Sequence, residues 1–211
     1  VTIDGVAAGV RAGGRRAGGA LERVRAATAR AHRELDGGLD VLHRPWGAGE
    51  HRLWLELTLG LLAPAEEGLR RWAAADPGVL DVHERARAGM AREDLLALGA
   101  EPAEVAAVPR CPLVPQPATR AQALGVCYVL DGSTLGGKLI RSALVAAGVP
   151  QEACTSLTGH PGAGRRWRGT TAALEALGTA GDAAVEEAAA TATAVFEAYR
   201  RWLAPLAGRP A

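Results

Sequence analysis

Apolar positions recur at steps of three and four through most of this chain, and no segment alternates convincingly with period two, so the pattern predicts helices throughout. Over residues 20–36 a stripe of Leu21, Val24, Thr28, Ala31 and Leu35 is continued by Leu39, with Gly37-Gly38 as the expected stop. Residues 50–75 carry Leu53, Leu57, Leu61 and Leu69, and Pro64 among them predicts a kink or a division in two. After the turn at Asp76-Pro77-Gly78, residues 80–98 predict a more polar helix and 101–107 a short one. Pro109, Pro112, Pro115 and Pro117 then make an extended connector. A long helix over 119–147, a Gly/Pro loop over 157–164, a shorter helix over 165–177 and a last one over 182–206 complete the order. The expected fold class is all-α, with six to eight helices in one domain of residues 20–206. Residues 1–19 and 207–211 read as a flexible N-terminal tail and a short C-terminal tail.

The 119–147 segment changes the picture, because it is apolar enough to be buried yet carries Gly125, Gly132, Gly136 and Gly137. Each glycine inside a helix costs about 1 kcal/mol relative to alanine, so something should compensate. Gly125, Gly132 and Gly136 follow at steps of seven and four, which places them on one face. Such a face admits either a tightly crossing helix or a flat ligand lying against backbone.

Composition narrows the classes. With 24 basic and 23 acidic residues the net charge is +1, which leaves no dominant electrostatic footprint for nucleic acid or a membrane surface. Lys138 is the only lysine, and the abundance of Ala, Gly and Arg reads as compositional bias, so scattered arginines carry little weight. No apolar run reaches the roughly 18 residues of a membrane span. Cys111, Cys127 and Cys154 have no C-x-x-C spacing and predict neither a disulfide framework nor a zinc site, which makes the cytoplasm the expected compartment.

Candidate chemistry is sparse. Gly132 to Lys138 reads GSTLGGK and fits the phosphate-loop pattern G-x-x-x-x-G-K, but Leu139 stands where Ser or Thr should hold Mg²⁺, and no strand precedes it. A nucleotide binder is therefore a weak alternative. The carboxylate pairs Glu66-Glu67 and Glu186-Glu187 read as solvated surface, as do His43, His51 and His160. His32 lies on the first helix's apolar stripe, where it is either a boundary histidine or a ligand. Paired with the glycine-faced helix about a hundred residues later, it could ligate iron on one side of a macrocycle. A close helix crossing explains the glycines equally well.

Two segments resemble the biliverdin-forming haem oxygenases, especially the bacterial branch found with bacteriophytochromes. VRAATARAHRELD, residues 24–36, is similar to the family's L-R-x-x-T-x-x-x-H-x-x-L-[ED] proximal helix, and YVLDGSTLGG, residues 128–137, to the branch's Y-V-x-E-G-S-x-L-G-G distal segment. The resemblance implies haem b, both substrate and cofactor, held between a proximal and a Gly-rich distal helix and opened to biliverdin, iron and carbon monoxide. It implies His32 as the iron ligand, with Asp36 on its other ring nitrogen. Arg25 and Arg168 would meet haem propionates; Tyr128, Gly132, Gly136 and Gly137 would line the distal side. O₂ and an external electron donor (a ferredoxin or a reductase) are implied, with a bacteriophytochrome as a receiver of biliverdin. Better-known members carry a distal aspartate where this chain has Ser133; Asp131, two residues earlier, lies about 200° round a regular helix. Proton delivery is thus expected from Ser133 or Asp131. A haem-oxygenase-like protein that binds without turnover is the alternative this departure keeps open.

Overall fold

In a computed structural model, residues 18–41, 46–78 and 80–207 are described, and they form helices joined by turns, with no strand among them. The 1–17 part of the expected N-terminal tail, residues 208–211 and His43 lie outside the described residues. α1 (Ala20–Leu39) buries Val24, Thr28, Ala31 and Leu39 along the predicted stripe. It runs through Gly37-Gly38 and stops at Asp40, which takes the left-handed conformation (φ 42°) while its N–H donates to the Asp36 carbonyl. Burial of Leu39 offsets the two exposed glycines, so the helix ends a turn later than their propensity predicts. Its N-terminus has no local cap; the Ala20 and Leu21 N–H groups instead donate to Glu175, 155 and 154 residues away.

α2 (Ala48–Ala75) is one helix across Pro64, not two. Proline lacks the N–H that would bond the Gly60 carbonyl, and that carbonyl accepts from Cys111 N–H at 2.8 Å. The Pro-rich connector thus docks on α2 where glycines allow it: a β-carbon at Gly60 would run into the Pro109 carbonyl, and one at Gly68 would stand 3.1 Å from the Pro117 ring.

The helix expected over 80–98 is shortened to α3 (Ala88–Ala97). Residues 81–87 turn instead, with Asp81 accepting from His83 and Glu84 N–H groups, and both Arg85 and Arg87 buried. α3 starts against a distant acid, because Glu66 of α2 accepts from the Arg87 and Ala88 N–H groups at 2.6 and 2.9 Å. Glu66 is buried, contrary to its reading as solvated surface, and burial holds its carboxyl above the usual range. α4 (Pro102–Ala106) follows as predicted.

α5 (Arg120–Ala146) is the glycine-bearing helix, N-capped by the Thr119 hydroxyl, which accepts from Gln122 N–H. Between α5 and the expected 157–164 loop lies a 3-10 turn (Gln151–Cys154), and the single turn α6 (Thr155–Thr158) runs into that loop, capped by Asp94, which accepts from Thr155 and Ser156 N–H groups. α7 (Ala163–Ala180) and α8 (Asp182–Trp202) complete the fold, and a 3-10 turn (Ala204–Leu206) follows. α1 and α5 both pack on α8 and α7 rather than extensively on each other. The core between them is largely Ala, Val and Leu. Among the described residues no helix is long and apolar enough to cross a membrane.

Candidate functional site

His32 sits four residues before Asp36 on α1, a spacing that stacks the two side chains on one face. Its Nδ1 lies 3.1 Å from Asp36 Oδ2, and the imidazole packs edge-on against Phe196 of α8 with centroids 5.3 Å apart. A carboxylate on Nδ1 selects the tautomer whose lone pair is on Nε2 and raises its basicity. The side chain remains 41% exposed. Arg25, two turns earlier on the same face, is exposed, as is Arg168 on α7. Among the described residues neither guanidinium has an ion pair.

On α5 the four glycines do different things. Gly125 faces α8, where a β-carbon would stand 2.5 Å from the Ala188 carbonyl and 2.9 Å from Thr191 Cβ. Gly137 faces the α6 turn: a β-carbon would overlap the Leu157 carbonyl oxygen and lie 2.7 Å from its carbon. These two serve close packing, so Gly137, expected among the cofactor-lining residues, has its missing side chain aimed at backbone. Gly132 is half-buried and meets only Trp167, 3.4 Å from a hypothetical β-carbon. Trp167 in turn lies 5.4 Å from the Tyr128 ring, so Tyr128, Gly132 and Trp167 form one aromatic-edged surface. Gly136 is half-buried one turn on from Gly132. The phosphate-loop alternative loses its geometry here, because Gly132 to Lys138 lie inside a continuous helix whose N–H groups cannot cradle phosphate.

Asp131 points away from that surface, as its helical offset predicts, into a buried triangle. Arg85 Nε donates to its Oδ2 at 3.1 Å, Thr170 Oγ1 donates to the same oxygen at 2.6 Å, and Arg85 Nη2 donates to Thr170 Oγ1 at 3.2 Å. Both charged side chains are about 5% exposed or less. This is a lock between α5, α7 and the 81–87 turn, and it holds Asp131, one of the two residues expected to deliver protons, in a structural contact.

Ser133 is exposed and donates to the Leu130 carbonyl at 2.8 Å. It also accepts from Nη2 of the buried Arg87, again at 2.8 Å. Sequence reasoning missed Arg85, Arg87 and Trp167; a bias toward arginine hid the first two. It also misplaced His51, which is fully buried with Nε2 2.6 Å from the Ala153 carbonyl. Burial lowers its pKa below the usual 6.5. His160 is exposed as expected.

The family profile described as Heme oxygenase matches residues 90–205, more than half of the 211 residues. The match spans α3 to α8, including the distal segment, and begins after His32. No curated protein matches the chain.

Proposed function

Because the chain belongs to the haem oxygenase family, we propose that it is a haem oxygenase that opens haem b to biliverdin, iron and carbon monoxide, using O₂ and electrons from an external donor. The observation that carries this reading is the pair formed by His32 and Asp36, with Nδ1 engaged and the ring partly exposed. A neutral imidazole with its other nitrogen on a carboxylate is the donor haem iron takes. The surroundings fit the group as well. α1 and α5 are not packed tightly together, two cations without ion partners among the described residues suit two propionates, and Gly132 adds no side chain to the surface it shares with Trp167.

When bound, haem supplies the iron that activates O₂ and the macrocycle that is opened. The chain's own part is to hold and to polarise. His32 anchors the proximal side, with Asp36 fixing its tautomer. Arg25 and Arg168 each make a charge-assisted contact, worth about 1.5–3 kcal/mol, that sets in-plane orientation. Tyr128 and Trp167 bound the distal surface, and Ser133 orders water there. The proposal includes a ferredoxin or reductase as electron donor, a bacteriophytochrome as receiver of biliverdin, and a cytoplasmic setting, which three buried free cysteines support.

One observation favours a second reading, a haem binder without turnover: neither Asp131 nor Ser133 offers a carboxylate or a free hydroxyl hydrogen to the distal side. Reconstitution with hemin separates the two. A Soret band that is lost in His32→Ala and recovered with added imidazole supports the ligand; conversion to biliverdin with reductant in air supports turnover. A stable complex that never converts would leave the binder reading standing alone.

A further inference from the structure

Arg87 lies in the turn between α2 and α3, and its buried side chain reaches across to α5. Nη1 donates to the Ser156 carbonyl at 3.1 Å; Nη2 donates to the Leu130 carbonyl at 3.1 Å and to Ser133 Oγ at 2.8 Å. The residue is itself anchored, since its own N–H donates to Glu66. Its aliphatic part underlies Gly159 (φ 64°), where a β-carbon would stand 2.9 Å from Arg87 Cδ. A guanidinium has no acceptor, so at this contact Ser133 must accept, and the hydroxyl hydrogen is committed to Leu130. What Ser133 has left is one lone pair.

We infer that Arg87 is the positioning residue of the distal segment: it locks the Ser133 hydroxyl as a pure hydrogen-bond acceptor backed by a buried cation, in the place where a free carboxylate is lacking. This rests on the haem-binding reading. A water at Ser133 is then held by one of its hydrogens, while the guanidinium behind it makes the local potential positive. Arg87 acts through Ser133 and the Leu130 carbonyl.

Two readouts test this in Arg87→Met, Arg87→Lys, Ser133→Ala and the double variant Arg87→Met with Ser133→Ala. In the apoprotein, amide exchange over residues 130–137 should rise about tenfold in Arg87→Met, because two side-chain hydrogen bonds to that turn are lost. In the ferrous hemin–CO complex, the C–O stretch should shift to higher frequency in Arg87→Met and Ser133→Ala, no further in the double variant, and less in Arg87→Lys, which keeps the charge. Unchanged exchange in Arg87→Met overturns the inference; so does an unchanged stretch, which would leave Arg87 a packing residue. Should Arg87→Met fail to fold, Ser133→Ala decides by its stretch alone. If the wild-type chain forms no hemin complex, the haem reading fails, and the exchange experiment still decides whether Arg87 clamps α5.

Discussion

Replacing the α5 glycines one at a time by alanine separates the two explanations for a glycine-rich helix. Alanine at an open helical position gains roughly 0.5–1 kcal/mol over glycine, and Gly169 of α7, with nothing within 4 Å of a β-carbon, sets that baseline. At Gly137 the same methyl would overlap the Leu157 carbonyl, which is backbone and cannot rotate away. Overpacking of this kind costs about 1–3 kcal/mol or more. Even after the propensity gain, the variant should lose about 1–2 kcal/mol, a drop of roughly 2–8 °C in Tm for a chain of this size. Gly125→Ala should behave similarly, since Ala188 and Thr191 crowd it. Gly132→Ala meets only the edge of Trp167 at 3.4 Å, so the apoprotein should be as stable as wild type or up to ~1 kcal/mol more stable. On the proposed distal surface its hemin affinity should nevertheless fall by tenfold or more, because the methyl thickens the wall that Gly132 and Trp167 form there. Urea denaturation of apoproteins and Soret titration give the two numbers. Wild-type stability in Gly137→Ala would refute the packing account; undiminished hemin affinity in Gly132→Ala would refute the distal surface.

Two further expectations follow from buried charge. Asp131→Ala leaves Arg85 buried without its carboxylate and should cost about 3–5 kcal/mol by denaturation, whereas Thr170→Val, which removes only a hydroxyl, should cost about 1–3 kcal/mol; equal stability of Asp131→Ala and wild type would mean that the triangle is not a lock. For His51 the folded pKa lies below 6.5, so its contribution is complete above that pH and is lost as pH falls through 6.5 toward the folded value. The apoprotein's stability should therefore decline over this window by at most about 1.4 kcal/mol per pH unit from this one proton. His51→Gln, which can still donate to the Ala153 carbonyl, should flatten the difference; an identical slope in both proteins would show that His51 does not titrate on unfolding.

Helical periodicity and the glycine pattern were enough to read an all-α chain and to single out α5, because both are properties of neighbouring residues on one element. The pairing of His32 with Asp36 was implied by the resemblance of residues 24–36 to the family's proximal helix, and it is a contact one turn long. Asp131 could be placed on the far side of α5 from its 200° offset, but its partner could not be found: Arg85 is 46 residues away, and only the tertiary fold brings it to 3.1 Å. Arg87 and Glu66 were lost in the same way. Their burial depends on carbonyls and N–H groups that other elements present, and no local pattern distinguishes them from solvated surface charge. What each glycine is for was likewise decided by neighbours. The sequence by itself determined that α5 would have a bare face and that a histidine helix would accompany it. Packing alone decided that Gly125 and Gly137 serve helix crossings while Gly132 looks onto Trp167, since a missing side chain gains meaning only from the atoms across the gap.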